Sequence, residues 1–205
     1  MTGGIALVGV LVALAVAASP VATAMRGGSF GTNGGPVVSP GIGSPARGQT
    51  FHFLLGTGFF CAGEPDACPD IARADNGDTV AIAGEGNFTT APRSATGDGT
   101  FVHADANGTV KASGTWHVLG LISFVSYGSA AAQGLPPEFY GGQLLLRVHI
   151  QPDAGGPGFL GVLKVQCLLG DHVPMGAHEG VRIVVQGTPF NFNKSVSGDT
   201  LYILL

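Results

Sequence analysis

From Gln49 to the C-terminus, apolar and polar residues alternate with a period of two, in runs rich in Val, Ile, Phe and Thr. That period belongs to strands, whose successive side chains face opposite ways; no stretch shows the spacing of an amphipathic helix. The pattern predicts strands near Thr50 to Phe60, Thr79 to Thr89, Gly99 to His103, Val110 to Val118, Leu121 to Tyr127, Gln143 to Ile150, Phe159 to Leu169, Val181 to Gln186 and Thr200 to Leu204. Asn76-Gly77-Asp78, Asp105-Ala106-Asn107-Gly108 and Ser197-Gly198-Asp199 supply the turns, because Asn and Gly tolerate the backbone of a tight reversal.

A short repeat runs through this region: Gly86-Asn87-Phe88, Gly99-Thr100-Phe101 and Gly114-Thr115-Trp116 each place an aromatic two residues after a glycine. Each ring shares its face with bare backbone, so a ring on one strand is expected to lie over the glycine of its neighbour and coil the sheet. Val80, Ile82, Gly84, Gly86 and Phe88 form an apolar face opposite Ala81, Ala83, Glu85, Asn87 and Thr89. Val110, Ala112, Gly114, Trp116 and Val118 repeat that division, as antiparallel sheets with one watered face do. The expected fold is all-β, a single antiparallel domain of eight or nine strands. It forms a small closed or nearly closed barrel, with Thr200 to Leu205 as the closing segment; a two-sheet sandwich is the alternative.

Composition adds compartment and exclusions. Gly accounts for 35 of 205 residues, against an ordinary ~7%, and only 11% of residues are charged, against ~25%. With nine Lys and Arg against thirteen Asp and Glu, no basic stripe exists to hold a nucleic-acid backbone. At the N-terminus, an apolar run from Ile5 to Ala18 precedes Ser19-Pro20 and the small-x-small tripeptide Ala22-Thr23-Ala24, the features of a signal peptide spanning residues 1–24. Its n-region lacks Lys or Arg. An uncleaved anchor is the alternative, although fourteen apolar residues fall short of the ~20 that span a bilayer. Residues 25–48, rich in Gly, Pro and Ser, read as a flexible arm, leaving 49–205 as the barrel-like domain. The expected localisation is secreted or extracytoplasmic, with no membrane span after cleavage. Long outward apolar strands and aromatic girdles of an outer-membrane barrel are missing.

Cys61, Cys68 and Cys167 form an odd set, so in an oxidising compartment one thiol is left over. Cys61 and Cys68 flank a Gly-Glu-Pro-Asp turn and are the expected disulfide; Cys167 is the other possible partner of either. The spacing suits no zinc site, and no cofactor is expected.

Chemistry concentrates in Leu168 to Gly180, where Asp171, His172, His178 and Glu179 offer imidazole and carboxylate groups to a metal or as general bases. No fixed ligand spacing supports a metal, and an exposed turn is the plainer reading. Arg147 and His149 share a strand face with Gln143 and Leu145. They point to solvent if the apolar face turns inward, or line an interior cavity with Lys164 and Gln166 if it turns outward. His52 admits the same reading, and His103, on the face of Phe101, is expected at a barrel rim. Neither a Gly-x-Ser-x-Gly elbow nor a phosphate loop is present. Asn87, Asn107 and Asn193 head Asn-x-Ser/Thr sequons, usable as glycosylation sites only in a eukaryotic secretory route. Gly134 to Gly142 reads as a long link with exposed aromatics.

Two functions fit these residues. The first is an exported non-enzymatic β-domain, a binding or surface module that takes an extracellular partner or a small apolar ligand in the barrel mouth. The alternative is a small secreted enzyme of isomerase, cyclase or hydrolase type, using the His/Glu loop or the Arg147 and His149 pair. The enzyme requires at least two such groups converging on one cavity; an interior packed solid by Phe88, Phe101 and Trp116 would count against an internal ligand.

Overall fold

The computed structural model describes residues 48–205; the expected signal peptide and residues 25–47 of the expected arm lie outside the described residues. Among the described residues eleven strands form one antiparallel sheet. They are β1 (Thr50–Leu55), β2 (Asp70–Arg73), β3 (Thr79–Thr90), β4 (Arg93–Ala104), β5 (Val110–Ser129), β6 (Phe139–Pro152), β7 (Phe159–Cys167), β8 (Gly180–Val185), β9 (Asn191–Phe192), β10 (Lys194–Ser197) and β11 (Thr200–Leu204).

The hydrogen-bond ladder closes on itself. β1 pairs with β3, β3 with β4, β4 with β5, β5 with β6, β6 with β11, and β11 returns to β1. This ring is the closed antiparallel domain expected, rather than two stacked sheets, and the C-terminal strand does supply the closure. Two branches leave it. Thr79 to Ile82 of β3 carry β2 and then β10, while Gly142 to Ile150 of β6 carry β7, β8 and β9. The branches approach one another where the Ser195 hydroxyl donates to the Val181 carbonyl at 2.9 Å.

Glycine and aromatic residues meet as their spacing predicts. Trp116, Gly99 and Gly84 occupy one cross-strand row, and a Cβ on Gly99 would stand 2.7 Å from Trp116 Cε2. Phe53 covers Gly86 and Gly97, where a Cβ would come within 2.8 and 2.9 Å of its ring. Phe101 lies on Gly114 in the same way, at 2.9 Å. Val80, Ile82 and Phe88 are buried and Glu85 and Asn87 exposed, so the assigned faces hold.

Several boundaries differ from expectation, each for a physical reason. The first strand ends at Leu55 instead of Phe60, because Gly56 and Gly58 take positive φ of 52° and 93° and turn the chain into a helical turn at Phe60–Gly63. The two strands expected from Val110 to Tyr127 are one, whose surplus residues are absorbed by register shifts at Val118/Gly120, Leu121/Ser123 and Ser126/Gly128. Such bulges bend a strand without ending it. β2, β9 and β10 raise the count beyond nine; at two to four residues they are too short to display a period. Phe139 and Tyr140 belong to β6 rather than to an exposed link, and both are half-buried.

Candidate functional site

The interior is filled at one end and open at the other. Around β1, β3 and β11 the rings of Phe51 and Phe88 stack at 5.1 Å, Phe124 sits 4.7 Å from Phe88, and Tyr202 lies 5.2 Å from Phe124. Tyr202 is fully buried, and its hydroxyl donates to the Val165 carbonyl at 2.9 Å. Val80 and Ile82 lie six to eight positions earlier on β3, roughly 20–26 Å from Phe88 at the rise of a strand. There, strands β3 to β9 surround a cavity of about 100 Å³.

Trp116, Ile82 and Leu163 are its most deeply buried walls, while Phe159, Thr188 and Phe190 reach the surface and form its mouth. Phe101 and Trp116 therefore line a space instead of closing it. Ring size explains the gap: Trp116 lies flat over Gly84 and Gly99, so its bulk covers backbone and leaves the volume above without a filler. The indole N–H donates to the Ala83 carbonyl at 3.3 Å.

His103 is at this rim, as its position beside Phe101 suggests, and is 9% exposed. Its Nε2 lies 3.1 Å from Asp78 Oδ2, and the edges of Phe190 and Phe192 meet the imidazole at 4.8 and 5.4 Å between centroids. Asp78 comes from the Asn76-Gly77-Asp78 turn, so the reversal that ends β2 and opens β3 also delivers the carboxylate. The sequence placed His103 but not its partner, because the pairing spans 25 residues.

None of the residues singled out in the Leu168 to Gly180 loop or on β6 lines the cavity. His172 pairs with its neighbour Asp171, both exposed, and His178 is exposed as well. Glu179 turns inward, accepting from Leu168 N at 2.6 Å, Thr200 N at 3.1 Å and Thr200 Oγ1 at 2.7 Å. Burial raises its carboxyl above the usual range, and those three donors oppose the shift. Arg147 and His149 project from the outer face of β6, alongside Lys164 on β7. Burial, and then the adjacent Arg182, lowers the Lys164 ammonium. Gln166 is buried and donates to the Tyr127 hydroxyl at 2.8 Å; His52 bridges Asn87 and Glu85 on the outer face. Among the described residues no three His, Cys, Asp or Glu side chains gather as a metal would require.

Cys61 and Cys68 form the disulfide, with Cα atoms 5.4 Å apart. Cys167 is free and buried, and burial followed by the charge of Glu179 pushes its thiol up. A residue the sequence did not single out is Asp70. It is wholly buried between the two branches, and neither oxygen has a hydrogen-bond partner among the described residues. Burial, then the charges of Glu179 and Asp199, pushes its carboxyl up to about 9; the Gly56 N–H, which donates to the Asp199 carbonyl at 3.2 Å, pulls weakly the other way. Asn87, Asn107 and Asn193 are all exposed. No protein-family model, curated protein or solved structure matches this chain.

Proposed function

We propose that this chain is an exported, non-enzymatic β-domain that binds a small apolar ligand in the cavity floored by Trp116. The observation that carries the reading is the lining itself: an apolar space of about 100 Å³ with an opening to solvent. An enclosed apolar cavity of about 150 Å³ stays dry and accepts benzene. This space is smaller and open, so a single ring or a short acyl chain enters in part and its remainder emerges between Phe159 and Phe190. Each methylene transferred from water contributes about 0.8 kcal/mol, so a ligand of this size binds through burial alone.

Export is supported by the N-terminal leader pattern and by the Cys61–Cys68 disulfide, which an oxidising compartment maintains. Among the described residues no helix is long and apolar enough to cross a membrane. The enzymatic alternative gains no support from Arg147, His149, His172, His178 and Glu179, none of which lines this cavity.

Thermal unfolding of the protein with and without toluene tests the binding reading. Binding to the folded state at a hundredfold excess over Kd stabilises by about 2.7 kcal/mol and raises Tm by several degrees. Ala112→Leu, which extends a half-buried wall residue into the space, abolishes that shift. An unchanged Tm in the unmodified protein, at toluene saturation, refutes the reading.

A further inference from the structure

Three side chains in the cavity lining carry a nitrogen or oxygen: Trp116, Thr188 and His103. Two are already committed. The Trp116 indole donates to the Ala83 carbonyl, and the Thr188 hydroxyl donates to the Val185 carbonyl at 2.9 Å while accepting from Phe190 N at 3.2 Å. His103 is half-committed. Its Nε2 meets Asp78 Oδ2, and its Nδ1 has no protein partner among the described residues.

The tautomer follows from the partner. An ionised carboxylate only accepts, so Asp78 holds a proton on Nε2, and in the neutral ring Nδ1 is then the nitrogen with the lone pair. Phe190 and Phe192 set edge-on against the ring fix its plane. Of these three side chains, His103 is the one with a nitrogen that has no protein hydrogen-bond partner among the described residues, and in the neutral ring that nitrogen accepts. Binding sites of this construction use a few such groups to orient a mainly apolar ligand.

Charge narrows the donor. An ammonium would enter an apolar space with no Asp or Glu in its lining, and burying an unpaired charge is costly. A carboxylate ligand would find no Lys or Arg there. A neutral hydroxyl satisfies Nδ1 and carries no desolvated charge.

We propose that His103 Nδ1 is the polar anchor of the cavity and that the ligand is a single apolar ring or short chain bearing one hydroxyl. The inference rests on the ligand reading above and adds the class of molecule. Asp78 is then a positioning residue, holding the acceptor nitrogen toward the ligand.

Toluene and phenol, which exchange a methyl for a hydroxyl at nearly equal volume, separate the two readings. Dissociation constants for both are measured by calorimetry in the unmodified protein and in His103→Phe and His103→Leu. The expected result is that each substitution weakens phenol about tenfold or more relative to toluene, as loss of a buried hydrogen-bond partner does. A second measurement needs no variant: in protein labelled with ¹⁵N histidine, phenol shifts the Nδ1 resonance of His103 and toluene leaves it in place. If toluene binds, but the phenol-to-toluene ratio is unaffected by either substitution or phenol does not move the Nδ1 resonance, the anchor is overturned and the cavity reading stands. If neither compound binds the unmodified protein, both fall together.

Discussion

At the β1–β11 end of the interior, four rings from four strands, Phe51, Phe88, Phe124 and Tyr202, pack on one another. At the β7–β9 end, Trp116 and Phe101 are buried aromatics too, at 1% and 9% exposure, yet a cavity remains between them and the facing branch. The difference lies in what each ring covers. Phe88 faces Phe51 directly across the ladder, ring on ring. Trp116 faces two glycines in a row and spends its area on backbone. An aromatic residue paired with a ring fills a core; one paired with glycine curves the sheet and spares the space above it.

Truncating a ring at each end breaks the comparison most forcefully. Phe88→Ala removes a side chain hemmed in on all sides, and should destabilise by about 3–5 kcal/mol. Phe101→Ala, which borders existing void, should cost less than that range's lower end of about 3 kcal/mol, since part of its contact is already forfeited. Equal losses in urea unfolding would mean that the two ends are packed alike.

Adding a methyl to glycine probes the same contrast. Gly99→Ala forces a Cβ to 2.7 Å of Trp116 and closer still to the Ala83 carbonyl, an overpacking that costs about 1–3 kcal/mol. Gly120→Ala, whose Cβ meets nothing nearer than 4.0 Å, should change stability by under about 0.5 kcal/mol. A neutral Gly99→Ala would show that the ring does not rest on that backbone.

Asp70 marks the seam where the two branches of the sheet converge, and its effect is read per pH unit. Its folded-state pKa of about 9 exceeds the ordinary carboxyl value of 3.8, so between those pH values the folded chain holds a proton that the unfolded chain has released. The resulting stability is fully present below pH ~4 and declines toward pH ~9, by at most ~1.4 kcal/mol per unit. Asp70→Asn should flatten this slope. Parallel stability profiles for the two proteins from pH 5 to 9 would remove Asp70 from the account.

Much of the closed sheet is legible in the chain because its strands are long and their faces differ. The Val80–Phe88 face and the row joining Trp116 to Gly99 follow directly from a period of two. What escapes the sequence is anything fixed by pairing rather than by period. β2 and β10 are four residues each, and only the pairing of β2 with β3 and of β10 with β2 makes them strands. The cavity depends on which strand lies opposite Trp116, and the Asp78–His103 contact on a turn swinging back beside β4. Glu179 reads as a titratable loop residue, but its inward turn comes from three donors on β11 and just after β7, brought near only by the fold.

The central claim is that the space above Trp116 is a ligand site. Trp116 is the one tryptophan of the chain and is 1% exposed, so its emission reports from the cavity floor without interference. Titration with toluene should change that emission saturably in the unmodified protein and leave it unchanged in Ala112→Leu. A response that never saturates, or that is the same in both proteins, contradicts the account.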